Sequence, residues 1–390
     1  MRYRPELDGL RAFAVIAVLL GHVGTTITLG GWMGVDVFFV LSGFLITSIL
    51  LGEHKKFNSI NLKQFYIRRA LRLYPALLLL LLGGLLFYRE LGDRPSGQEF
   101  ATLAGYGVTA LIVGTYMMDF AFGLTGNPFG EMSHTWSLAV EEQFYLLWPI
   151  SLILLLRHRK KVLNWTVGMT LASLLIMLAL LPASLSGVPD YAYYLPFSRF
   201  WELTLGCSVA LVLNNDRMPR VAGSTWFGTV AIAVAAVTYL VGAYIGGFVL
   251  AYPRAGGGPF LGLLAPLIAI ATAALLFHLT ARRDGTLTRL LSSPPLVYIG
   301  RRSYGLYLYH FPILVILESH LHARRAVVTL VMLAVTMVLA ELSYRFVELP
   351  LLRLKKRFSP MQGAFANSGP VLAEQQPQSA EGETPPPSAS

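Results

Sequence analysis

Arg11 and His22 stand eleven residues apart in an otherwise apolar stretch. At about 100° per residue an α-helix brings both to one face, ~16 Å apart along its axis. An arginine that anchors an anion below a histidine that exchanges protons near neutral pH is a plausible base-and-anchor pair. The plain alternative is a snorkelling arginine and a buried histidine bonded to a neighbouring helix. A second group is Arg68, Arg69 and Arg72, preceded by Lys63 and followed by Tyr74 and Pro75. The i,i+3 and i,i+4 spacings cluster the three guanidinium groups at a helix start. Basic residues there usually set topology, but three forks also match phosphate oxygens bidentately.

The third group is Trp136-Ser137-Leu138-Ala139-Val140-Glu141-Glu142-Gln143-Phe144-Tyr145, just after His134. Ser137 reads as an N-cap with both glutamates in the first turn, favoured by the helix dipole. That does not explain two carboxylates at the edge of an apolar segment. The rest are scattered. Asp36 lies in Gly34-Val35-Asp36-Val37-Phe38-Phe39, Arg199 and Glu202 are i,i+3, and Tyr304, Tyr307 and His310 recur every third residue. Tyrosines at an interface usually form an aromatic belt. The histidines lack ligand spacing, so no metal site is expected.

The elements that must position these groups are membrane helices. The chain has 390 residues, 55% hydrophobic and only 13% charged, with a mean hydropathy of +0.58. Soluble domains run nearer a quarter charged. One cysteine excludes a disulfide scaffold. A net charge of +10 would suggest nucleic acid in a soluble protein. Here the basic residues punctuate apolar runs, so they mark cytoplasmic loops and no nucleic acid is expected.

Apolar runs near 10–29, 33–51, 73–88, 101–118, 141–156, 164–182, 196–213, 226–246, 259–280, 303–319 and 326–346 predict an all-α polytopic bundle. The first lacks a small-residue cleavage site and reads as a membrane helix, not a signal peptide. Strict alternation would place Arg157–Lys161 outside. The segment 101–118, with Gly105, Gly107 and Gly114, is therefore expected to re-enter on its own face. That leaves about ten spans with both termini cytoplasmic. The membrane domain is expected over 1–358. Residues 359–390, ending in a proline-rich stretch, read as a disordered cytoplasmic tail.

On these residues the chain resembles the acyltransferase-3 family of membrane acyltransferases, which O-acylate bacterial surface glycans and some secreted small molecules. The resemblance runs from Glu6 to about Glu348. It rests on Arg11 and His22 in an Arg-x10-His motif, on Gly34 to Ile46, and on Arg69 and Arg72 followed by Leu73-Tyr74-Pro75. Trp136 to Tyr145 and the Ser-Tyr-x-x-Tyr-x-x-His pattern of Ser303 to His310 complete it.

The resemblance implies an inner-membrane enzyme with an acyl-CoA donor, usually acetyl-CoA, and an acceptor hydroxyl on a glycan or lipid-linked glycan. In this reading Arg68, Arg69, Arg72 and Tyr74 hold the donor. His22 acts as base or acyl carrier, with Arg11 beside it and Glu141 and Glu142 as further catalytic candidates. Asp36, Trp136, Arg199, Glu202, Tyr307 and His310 face the acceptor. Many relatives continue into a periplasmic esterase-like domain. About forty residues follow Glu348 here, too few for one, so a separate periplasmic partner would take its place. The alternatives are a secreted small-molecule acceptor such as a macrolide and, outside the enzyme class, a secondary transporter or a scaffold whose arginines bind anionic membrane lipids. No inverted repeat supports the transporter.

Overall fold

The computed structural model describes residues 3–23, 29–87, 102–125, 130–157, 161–185, 191–215, 217–251, 258–321 and 323–355. All regular structure among them is helical. The order is α1 Pro5–Val23, α2 Met33–Phe57, α3 Leu62–Leu86, α4 Leu103–Gly114, α5 Met118–Thr125, α6 Trp136–Arg157, α7 Val162–Leu185 and α8 Pro196–Asn214. Then come α9 Thr225–Ala251, α10 Gly258–Ala281, α11 Pro294–Arg301, α12 Ser303–His320, α13 Arg325–Ser343 and α14 Leu349–Lys355. The expected tail, 359–390, lies outside the described residues.

Seven helices among the described residues are long and apolar enough to cross a membrane, or eight if α4 and α5 form one span. That is a multi-pass membrane protein, though length and hydropathy do not reproduce the expected ten. The helices that fall short, α1, α8 and α12, are those whose hydropathy is lowered by Arg11, by Arg199 with Glu202, and by Tyr307 with His310. Segment 101–118 runs through its glycines as the single helix α4 and bends only after Gly114, where α4 and α5 meet at 117°. Tyr116 takes a left-handed φ of 55° at the corner. A non-glycine residue holds that conformation only when its surroundings enforce it. Gln143 does so by donating to Tyr116 O at 2.8 Å and to Asp119 Oδ1 at 2.9 Å.

Two boundaries differ from expectation in ways that matter for the site. Helix α3 begins at Leu62, where Asn61 caps it by accepting from the Gln64 N–H at 3.0 Å. Arg68, Arg69 and Arg72 therefore sit in its second and third turns, not at its start. Helix α6 begins at Trp136, so Ser137 is not its N-cap and the glutamates are not in its first turn. The preceding 3₁₀ turn, Gly130–Thr135, enters the helix directly.

Without a water-driven hydrophobic effect inside lipid, small residues let membrane helices close on one another. Helix α2 packs most extensively on α8. A Cβ on Gly43 would lie 1.8 Å from Leu203 O, and one on Gly206 2.0 Å from Val40 O. The two backbones therefore touch, and any side chain at either glycine would force them apart. Beside them, Trp148 donates to Thr47 Oγ1 at 2.8 Å, tying α6 to α2. This frame leaves α1, α2, α3, α6 and α12 around one polar cavity.

Candidate active site

The cavity has a volume of about 370 Å³. Arg11 and Asp8 reach it from α1, Ser42 from α2, Arg69 and Arg72 from α3, Ser137, Glu141 and Tyr145 from α6, and Ser303 and Tyr307 from α12. Tyr3, Tyr304 and Arg4, the last paired with Glu6, also line it, and the rest of its walls are apolar, which strengthens each electrostatic contact within.

Glu141 is held firmly. Its Oε1 accepts from Ser42 Oγ and from the Tyr145 hydroxyl. Arg69 lies 3.6 Å from the same oxygen, 3.3 Å from Glu142 Oε1, and 3.4 Å above the Tyr145 ring. Arg69 is thus largely neutralised by α6. Arg11 and Arg72 are not: among the described residues neither makes a hydrogen bond or ion pair, yet both line the cavity. Two unpaired guanidinium groups in a largely apolar pocket form an anion site, suited to phosphate.

The remaining expected site residues divide sharply. Arg68 is ion-paired with Glu53 at 3.1 Å and does not reach the cavity. Tyr74 points away and meets Tyr116 edge-on at 5.5 Å. Glu142 is spent on Arg69. Trp136 is buried among Phe39, Tyr193 and Tyr194. Asp36, Arg199 and Glu202 do come together: Arg199 bonds Asp36 and lies 3.1 Å from Glu202, all at 1% side-chain exposure or less. This triad lines none of three cavities that open among the described helices and clamps α2 to α8.

His22 lies in the last turn of α1, and it does not line the cavity. It stays exposed on one side. On the other its ring packs against His310 at 4.9 Å and Phe311 at 4.7 Å. Tyr307 stands between this cluster and the cavity. Its hydroxyl donates to His134 O at 2.6 Å, so the Ser137 hydroxyl must donate to Tyr307. Ser42, Ser137 and Tyr145 are contributors that residue-type reasoning passed over, although all three lie inside the quoted motifs. Their alignment with Arg69 and Tyr307 needed the fold.

A polytopic helical bundle with unpaired arginines around an interior cavity is a membrane protein whose cavity has the chemistry to receive an anion. The sequence profile of the acyltransferase-3 family, described as an acyltransferase domain, matches residues 4–345, and the chain belongs to that family. It is 33% identical over 359 residues to the peptidoglycan O-acetyltransferase OatA of Listeria monocytogenes, covering 90% of this chain and 56% of the relative. It is 34% identical over 364 residues to YrhL of Bacillus subtilis, covering 90% and 55%. With the O-acetyltransferase OatA of Staphylococcus aureus the identity is 34% over 363 residues, covering 90% and 57%. The chain thus spans a little over half the length of these relatives. No solved structure matches it.

Proposed function

We propose that the protein is a membrane O-acetyltransferase that moves an acetyl group from acetyl-CoA to a hydroxyl of a cell-wall glycan. The observation that carries this reading is the pair of unpaired guanidinium groups, Arg11 and Arg72, in the cavity of a chain related to peptidoglycan O-acetyltransferases.

In this mechanism the CoA phosphates dock on Arg72 and Arg11, while Arg69 stays paired with Glu141 and Glu142. The positive-inside pattern supports a cavity open to the cytoplasmic side of the inner membrane, where acetyl-CoA is made. The thioester must then reach His22, which lies beyond Tyr307. Because the cavity closes at the Ser137–Tyr307 hydrogen bond, transfer requires that pair to part. At His22 the acceptor hydroxyl gives its proton to the imidazole as its oxygen attacks the thioester carbonyl. The tetrahedral intermediate collapses with loss of the C–S bond, and the thiolate takes the proton back from His22. The products are the acetyl ester and free CoA.

The test is acetyl transfer by purified protein in liposomes, supplied with acetyl-CoA and soluble peptidoglycan fragments. Acceptor-dependent thiol release with a mass gain of one acetyl group on the glycan is expected. Absence of thiol release with any hydroxyl acceptor would sink the enzyme reading. Release with a small-molecule acceptor alone would sink the glycan.

A further inference from the structure

The proton on each imidazole of the histidine cluster can be placed from geometry, because a backbone carbonyl oxygen only accepts. His22 Nδ1 lies 2.9 Å from Val18 O, so Nδ1 carries the hydrogen. His310 Nδ1 lies 2.6 Å from Tyr307 O, so it too is protonated there. The Nε2 of a neutral His310 is then a bare lone pair, and it faces His22 Nδ1 at 3.2 Å. The hydrogen on His22 Nδ1 is shared between Val18 O and His310 Nε2. His22 Nε2 is left as an unprotonated nitrogen with no partner among the described residues, on a residue that is exposed as a whole.

From this arrangement we infer that His310 is a positioning residue for His22. It holds the ring in the Nδ1–H tautomer, so that Nε2 presents its lone pair to an acceptor hydroxyl, and it receives a stronger Nδ1–H hydrogen bond when His22 becomes charged. The inference rests on His22 acting as the base in the proposed reaction. His310 does for His22 what a carboxylate does for the base of a Ser-His-Asp triad, where a partner on Nδ1 fixes the tautomer and supports the imidazolium. A neutral partner suits this site. His310 is fully buried, and a carboxylate placed there would carry a large desolvation cost.

One further feature favours the same charged state. His22 occupies the last turn of α1, where the helix dipole stabilises a cation. The other rings in contact are Phe311 and, behind His310 at 5.5 Å, His134. The His134 Nε2–H donates to Leu308 O at 3.1 Å, which keeps that ring oriented by the backbone. Tyr307, the wall of the cavity, supplies the carbonyl that orients His310. The backbone of one residue therefore links the donor cavity to the base.

Two measurements test this, and one of them does not depend on catalysis. Magic-angle-spinning NMR of the full chain in liposomes, with 15N-labelled histidine, should show a nitrogen–nitrogen correlation between His22 Nδ1–H and an unprotonated His310 Nε2. Assignment comes from its loss in His22→Gln. In kinetics, His310→Leu keeps bulk but offers no acceptor. It should lower kcat ~10–100-fold, less than the full worth of a positioned base, with the KM for acetyl-CoA unchanged. His310→Gln can place its Oε1 where Nε2 was and should recover most of that loss. A melting temperature in detergent for both variants controls for misfolding. Wild-type His22 found as the Nε2–H tautomer would overturn the proposal. So would folded His310→Leu protein with full kcat, or His310→Gln as impaired as His310→Leu. If wild type transfers no acetyl group while the nitrogen–nitrogen correlation is present, the enzyme reading has failed and the histidine geometry stands.

Discussion

Two clusters of charge lie inside this bundle, and they differ in what they leave unpaired. In the Asp36–Arg199–Glu202 triad one guanidinium faces two carboxylates, and all three side chains are sealed from solvent. Phe39, Trp136 and Tyr193 surround Arg199 within 6 Å of its guanidinium carbon. Around the cavity the balance is reversed. Arg69 is matched by Glu141 and Glu142, while Arg11 and Arg72 face open volume without a partner. An ionisable residue in a membrane helix is a functional hypothesis by default. The comparison adds the condition that decides it: a site needs unspent charge and room beside it. The triad carries one carboxylate in excess but lines none of those three cavities, so its charges serve to hold α2 against α8 at the Gly43–Gly206 crossing.

The largest expected effect lies beyond the cavity. His22→Ala should reduce kcat by ~10²–10⁴-fold, the usual worth of a positioned base, and no acetyl-CoA concentration should restore it. Full turnover in this variant would move the base elsewhere, with Glu141 the first candidate inside the cavity.

Arg199→Ala tests the other half of the comparison. Removing one partner from a buried ion cluster costs about 3–5 kcal/mol, so the melting temperature in detergent should fall sharply. The protein that remains folded should keep its KM for the donor. A raised KM with an unchanged melting temperature would place the triad in the binding site and erase the distinction.

Arg72→Ala should do the reverse. Losing a charge-assisted contact to phosphate should raise the KM for acetyl-CoA by about 10- to 100-fold, with kcat nearly intact because the contact is equal in ground and transition states. Arg72→Lys should recover only part, since an ammonium lacks the bidentate fork. Loss of turnover at saturating donor would contradict a binding role.

The smallest effect is expected one turn away. Arg68→Ala breaks the largely buried pair with Glu53 and should lower the melting temperature in detergent without altering donor KM. A KM change matching that of Arg72→Ala would bring Arg68 back into the site.

Much of the fold was legible in the residues. Long apolar runs place α2, α7, α8, α9, α10 and α12 within a few residues of their ends, because lipid allows a spanning segment little but a continuous helix. The segment 101–118 reads as irregular, and its bend falls just after Gly114, where α4 gives way to α5. The errors were local. Ser137 has the chemistry of an N-cap, but residues 130–135 already form a 3₁₀ turn that leads into α6. The basic group of α3 read as a helix start because apolar content rises only after Arg72.

By itself, then, the sequence determined which helices exist and which polar residues are too costly to be incidental in them. Periodicity and hydropathy act over one or two turns and carry that information. Which of those residues work together was decided by the fold. Arg68 and Arg72 are neighbours on one helix, yet one turns to Glu53 and the other to the cavity. Arg11 and His22 share one helix face, yet serve the two ends of the proposed path. His22 meets His310 across 288 residues of chain, and no local spacing encodes a contact that exists only after α1 and α12 have packed.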